Sequence, residues 1–107
     1  MSKELNRERL FAYAKRERES YEELLKSFVE IPTVSADPSH KPDIQSCAAL
    51  AVETVRRFGG EARTYDTGGN PIVHATFDVG AGLPTATIYN HLDVQPASKE
   101  TDRKSVV

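Results

Sequence analysis

Residues 58–78, FGGEARTYDTGGNPIVHATFD, carry the change of pattern that decides the fold. Up to Phe58 the apolar residues recur with a helical period; beyond Gly60 the pattern becomes one of alternation, the period of a strand. The segments EARTYDT and PIVHATFD flank GGN, a hairpin type of connection, which predicts strands near 61–67 and 71–78.

Backward from this point, Ile44, Cys47, Ala48, Ala51, Val55 and Phe58 form one apolar stripe and predict a helix near 42–58. Pro42 and Asp43 suit its first turn, and Gly59-Gly60 its end, because glycine tolerates the left-handed conformation of a helix cap. Cys47 lies on the stripe and reads as a small core residue rather than a nucleophile. Further back, Leu10, Phe11, Ala14, Tyr21, Leu24, Leu25 and Phe28 predict a helix near 5–30 with one buried face. The charge run KRERES between them carries both signs and reads as a solvated face. Pro32 stops this helix, and IPTVSADPSHKPD (residues 31–43) reads as a loop. Forward, GAGLP makes a turn and TATIYNHLD predicts a third strand near 85–90. Two helices and three strands in 107 residues imply an α/β arrangement of helices layered on a partial sheet, with no internal repeat.

Composition bounds the function classes. A net charge of −2 and an aromatic content of 7% without Trp oppose nucleic-acid binding, which needs clustered basic residues and stacking surfaces. A single cysteine excludes an intrachain disulfide and a cysteine-based zinc knuckle. The first twenty residues lack the apolar core of a signal peptide, and no stretch approaches the roughly 20 apolar residues of a spanning helix. A cytoplasmic protein without membrane partners is therefore expected.

The chemistry-bearing stretch is YNHLDVQPA, residues 89–97. His91 and Asp93 are two apart, so in an extended segment they project from the same face. An imidazole there can bind a divalent metal through one nitrogen while the carboxylate receives the other N–H, which fixes the tautomer. By spacing alone the two residues read first as a solvent-facing polar pair at a strand end, because a bare H-x-D pattern arises by chance in many proteins. His40, in the Pro-rich loop, and His74, in the hairpin, are expected to be exposed.

The longer string resembles the first metal-ligand motif of the zinc peptidases of family M-twenty, which includes carnosine dipeptidases, aminoacylases and desuccinylases. LLKSFVEIPTVSADPSHKPDI (24–44) and AALAVETVRRFGGEARTYDTGGNPIVHATF (48–77) resemble the dipeptidase branch in order and spacing, so the likeness covers roughly residues 20–98. Leu92 departs from the branch, which often has Tyr there, without touching a ligand. The resemblance implies that His91 is a zinc ligand and that Asp93 is the catalytic-site carboxylate orienting it. It also implies two zinc ions per site, with cobalt or manganese as substitutes, and a small peptide or N-acyl amino acid as substrate. Water bridging the metals would attack a polarised amide with a downstream Glu as base, in a homodimeric parent protein.

The family's other ligands lie downstream of its first motif, so residues 1–100 are expected to form the N-terminal part of a metallopeptidase catalytic domain that is inactive alone. The last residues, TDRKSVV (101–107), bear no likeness to the family. DRKSVV resembles the translation of a common sequencing adapter, GAT CGG AAG AGC GTC GTG, so 101–107 is expected to be a non-native tail. The competing reading is a non-catalytic binding or scaffolding module that uses the charged first helix as its partner surface. A kinase catalytic loop is set aside: HLDVQPAS ends on Ser98 where that loop has Asn, and no Gly-rich phosphate loop precedes it.

Overall fold

A computed structural model of the chain describes residues 6–97; the expected tail 101–107, Ser98 and the first residue of the expected helix at 5 lie outside the described residues. Two compact units divide at Glu30–Ile31.

The first unit holds α1 (Arg7–Arg16) and α2 (Arg18–Val29). Asn6 caps α1, its side-chain oxygen accepting from the Arg9 N–H at 3.1 Å. The single helix expected over 5–30 is interrupted at Glu17, whose backbone (φ −94°, ψ 7°) leaves the helical region. The hydrogen bonds nevertheless stay in helical register across it: Glu17 N–H donates to Tyr13 O and Tyr21 N–H to Glu17 O, each at 2.9 Å. Arg18 and Glu22, one turn apart, pair at 2.8 Å on the surface. The expectation of a buried face is corrected, because no residue of either helix is buried and Tyr21 and Leu25 are exposed. Helices that follow one another through one residue with the ladder in register cannot cover each other's apolar sides.

The second unit is the α/β part. Asp37 caps a 3-10 turn, Pro38–His40, and leads into α3 (Lys41–Arg57), which has Pro42 and Asp43 in its first turn as the sequence predicts. Ile44, Cys47, Ala48 and Ala51 are buried at the i, i+3, i+4, i+7 spacing of one helical face and pack with Ala62 of the sheet as the core. Most of these side chains are small, which lets the helix axis lie close to the strands. Phe58 departs from the predicted stripe and is exposed: it is the C-cap, one residue past the last helical turn, and its ring faces the Arg57 guanidinium.

The end of α3 is a Schellman cap. Gly60 N–H donates to Val55 O at 3.0 Å and Gly59 N–H to Arg56 O at 3.1 Å. The two glycines serve different needs. Gly59 has φ of +91°, the left-handed region. A Cβ on Gly60 would stand 2.6 Å from Val55 Cγ1 and 2.7 Å from Phe77 Cε1, so close packing requires glycine there.

β1 (Glu61–Tyr65) and β2 (Ile72–Thr76) pair antiparallel, with Arg63 opposite His74. In the connection, Asp66 accepts from Gly68 N–H and Thr67 donates to Asn70 O. The third strand expected near 85–90 is not formed, so among the described residues the sheet has two strands rather than three. A strand is defined by its ladder, and residues 85–90 find none; Ile88 and Tyr89 are both 81% exposed. The one pairing made by the following segment is an isolated parallel bridge, Val34 with Val94. No helix among the described residues is long and apolar enough to cross a membrane.

Candidate metal centre

The site is assembled from two loops that lie almost sixty residues apart in sequence. Pro32 prevents α2 from continuing, and residues 31–37 fold into turns in which Val34 N–H bonds Pro32 O and Asp37 N–H bonds Val34 O. Thr33, 3% exposed, is the buried polar residue of the described structure. Its carbonyl accepts from Val94 N–H at 2.9 Å, and its hydroxyl donates to Leu92 O at 3.1 Å. Ser35, two residues on, donates its hydroxyl to Asp93 Oδ2 at 2.7 Å. The segments IPTVSADP and NHLDVQPA, the two most distinctive strings of the sequence, are thus hydrogen-bonded side by side.

Within the second loop His91 Nδ1 lies 3.3 Å from Asp93 Oδ1, longer than the about 2.7–2.9 Å of a full charge-assisted bond. The Tyr89 ring meets the His91 ring edge-on, with centroids 5.3 Å apart and Tyr89 Oη 3.5 Å from Nε2. The His91 side chain is 71% exposed and that of Asp93 44%. The Ser35 hydroxyl is the main cause that holds the Asp93 carboxyl below its ordinary value of 3.8; burial opposes it, and the Asp93 backbone N–H and then His91 act with the serine. The arrangement is an ionised carboxylate addressed from both oxygens, backing an exposed imidazole whose other nitrogen lies beside the Tyr89 hydroxyl. That donor set suits one metal ligand and its supporting carboxylate.

His91 and Asp93 therefore stand together, on loop backbone rather than at a strand end. His40 corrects the expectation of an exposed histidine. It is half-buried at the start of α3, with Nδ1 2.8 Å from Asp43 Oδ2 and Nε2 3.9 Å from Asp37 Oδ2. His74 is exposed on β2 as expected, with its ring edge-on to Tyr65. Among the described residues no group of three or more His, Cys, Asp or Glu gathers that could hold a metal ion. A shallow recess of about 640 Å³ lies elsewhere, lined by Arg56, Glu61, Arg63, Tyr65, His74 and Thr76, and includes neither His91 nor Asp93. Cys47 is buried, and burial pushes its thiol above the ordinary value, as befits a core residue. Thr33, Ser35 and Tyr89 carry no site role in the sequence reading. Tyr89 has the same i, i+2 spacing that pointed to Asp93, whereas nothing in a single sequence pairs position 35 with position 93.

No protein-family model matches the chain, and no solved structure matches it. Curated relatives do. The Cys-Gly metallodipeptidase of Schizosaccharomyces pombe is 29% identical over 103 residues, covering 87% of this chain and 22% of the relative. The Beta-Ala-His dipeptidases of Rattus norvegicus and Mus musculus are each 29% identical over 106 residues, with the same coverage. The chain thus spans about a fifth of the length of the curated relatives it matches. Over most of its own length the chain is thus similar to curated metallodipeptidases and dipeptidases.

Proposed function

We propose that residues 1–100 form the N-terminal part of the catalytic domain of a zinc-dependent dipeptidase or related amidohydrolase, in which His91 is a metal ligand and Asp93 orients it. The observation that supports this most directly is the joining of residues 33–35 to 92–94, which holds the His91–Asp93 pair beside a loop that shares its likeness to metallodipeptidases. When bound, a pair of zinc ions, or cobalt or manganese in their place, would supply Lewis-acid polarisation of the scissile carbonyl and activation of water.

This chain's own residues do the following. With its proton on Nδ1, His91 donates toward Asp93 Oδ1, and a metal at the Nε2 lone pair would take the place of the Tyr89 hydroxyl 3.5 Å away. Asp93 stays ionised and acceptor-only, so it favours that tautomer over the other. A zinc centre takes about three protein ligands besides water, so further ligands and the general base come from residues other than 6–97. Residues 1–107 alone are accordingly expected to show no zinc-dependent hydrolysis. The substrates are small peptides or N-acyl amino acids, with Cys-Gly and β-Ala-His as first candidates from the names of the relatives. The whole protein acts as a homodimer, as the resemblance suggests.

The test is hydrolysis of these dipeptides by the protein encoded by the complete source locus. Activity is expected to vanish with a chelator and return with zinc. Asp93→Ala is expected to weaken metal binding about 10- to 100-fold. Turnover indifferent to chelation refutes the proposal.

A further inference from the structure

We infer that Ser35 is a positioning residue for the site: its hydroxyl fixes the Asp93 carboxylate, and through it the His91 ring. The inference rests on the reading of His91 and Asp93 as ligand and supporting carboxylate, and adds a residue to which the sequence reading gives no site role.

A carboxylate's terminal torsion is broad and soft, so an exposed Asp does not by itself hold an imidazole in one orientation. Asp93 has a different side-chain partner on each oxygen: His91 Nδ1 at 3.3 Å from Oδ1, and the Ser35 hydroxyl at 2.7 Å from Oδ2. The serine bond is the shorter, and it comes from a different segment, so it fixes the carboxylate against an external point. That point is itself anchored. Thr33, buried two residues before Ser35, clasps the backbone on both sides of Asp93, taking Val94 N–H on its carbonyl and giving its hydroxyl to Leu92 O. Because Thr33 already ties the two loops together, the bond from Ser35 is not needed to join them. Its distinct consequence falls on the carboxylate.

This division of labour separates a positioning role from a merely structural one. Long-range proton–nitrogen NMR of the His91 ring in the 107-residue chain, in mildly alkaline solution, reads the tautomer directly. The wild-type ring is expected to carry its proton mainly on Nδ1. Ser35→Ala should lower the ratio of the Nδ1–H to the Nε2–H form by roughly fivefold, the weight of about one hydrogen bond. Ser35→Thr, which keeps a hydroxyl, should restore it, and Asp93→Ala should lower it at least as far as Ser35→Ala. Hydrogen exchange at the Val94 amide should be unchanged in Ser35→Ala.

An unaltered tautomer ratio in Ser35→Ala, or failure of Ser35→Thr to restore it, overturns the inference. So does a shift accompanied by loss of Val94 protection, since the serine would then be holding the loops rather than the carboxylate. The underlying reading is tested separately by chelation of the protein encoded by the complete source locus. If its turnover is indifferent to chelation while the serine-dependent tautomer shift persists, the metal-ligand reading fails and the role of Ser35 in setting the ring stands.

Discussion

Residues 41–76 and residues 77–97 are of comparable interest and opposite construction. In the first, a helix, its cap and a hairpin are each specified by neighbours in sequence: a stripe at helical spacing, two glycines at the turn, and a register of five pairs. In the second there is no ladder and no buried side chain, and the site-bearing end is tied down by contacts to residues 33–35. Local rules build the scaffold; long-range side-chain bonds place the chemistry. Perturbing each region should therefore give responses of different size and different reach.

The largest response is expected in the scaffold. Ile44 is the one large aliphatic side chain in a core otherwise made of Cys47, Ala48, Ala51 and Ala62. Ile44→Ala should destabilise the second unit by about 2–5 kcal/mol, toward the lower end because so thin a core can relax around the deletion. Thermal or urea unfolding followed by circular dichroism measures this, and a change below about 0.5 kcal/mol would mean that the stripe of α3 is not what holds the helix to the hairpin.

Next come the two glycines, which should differ although they are adjacent. Gly60→Ala places a Cβ against Val55 Cγ1 and Phe77 Cε1, an overpacking costing about 1–3 kcal/mol. Gly59→Ala meets nothing within 4 Å and is opposed only by its positive φ, at about 1 kcal/mol. Equal effects at the two positions would show that Phe77 does not close over Gly60. That contact is the point at which the scaffold meets the loop region.

The same contrast explains what could be read beforehand. Helix α3, its glycine end and the hairpin were legible because each follows from a period or a dipeptide acting over a few residues. The third strand was misjudged because TATIYN has the composition of a strand, whereas a strand requires a partner that composition does not name. The buried face assigned to the first thirty residues failed similarly: spacing shows which side of a helix is apolar, and not what covers it. His91 and Asp93 were legible as a pair because they are two residues apart. Ser35 and Thr33 were not, since their partners lie 58 and 59 residues away and a single sequence contains no signal of that pairing.

A smaller and more local response is expected at Thr33. Thr33→Val keeps the shape but removes the hydroxyl that donates to Leu92 O, leaving the Val94 N–H bond to the backbone in place. Loss of about 0.5–1.5 kcal/mol is expected, appearing as faster hydrogen exchange at Val94 and not at the amides of α3. Uniform acceleration across α3 and Val94 would instead show that the two regions unfold as one, and would break the distinction between them.

The smallest response belongs to the junction, where the loop that supplies Thr33 and Ser35 turns into α3. Asp37 Oδ1 accepts from Ser39 N–H at 2.9 Å and from the Ser39 hydroxyl at 2.8 Å. The backbone bond first and the hydroxyl second hold its carboxyl below the ordinary value of 3.8, and nearby His40 acts in the same direction. A carboxyl whose value is depressed in the folded chain contributes stability that is fully present above its unfolded value and is lost as pH falls through the folded one. The Asp37 carboxyl should therefore keep its charge from neutral pH down to about 4, and its bonds to Ser39 should loosen only below that. Because the group is exposed, the signature is a titration rather than a measurable unfolding. In a carbon-detected NMR titration the Asp37 carboxyl should have its midpoint below 3.8. Ser39→Ala should raise that midpoint only part of the way, since the stronger backbone bond remains. A wild-type midpoint at or above the ordinary value would mean that Asp37 does not accept these bonds in solution. The start of α3 would then depend on Pro42 and on the contact of His40 with Asp43 alone.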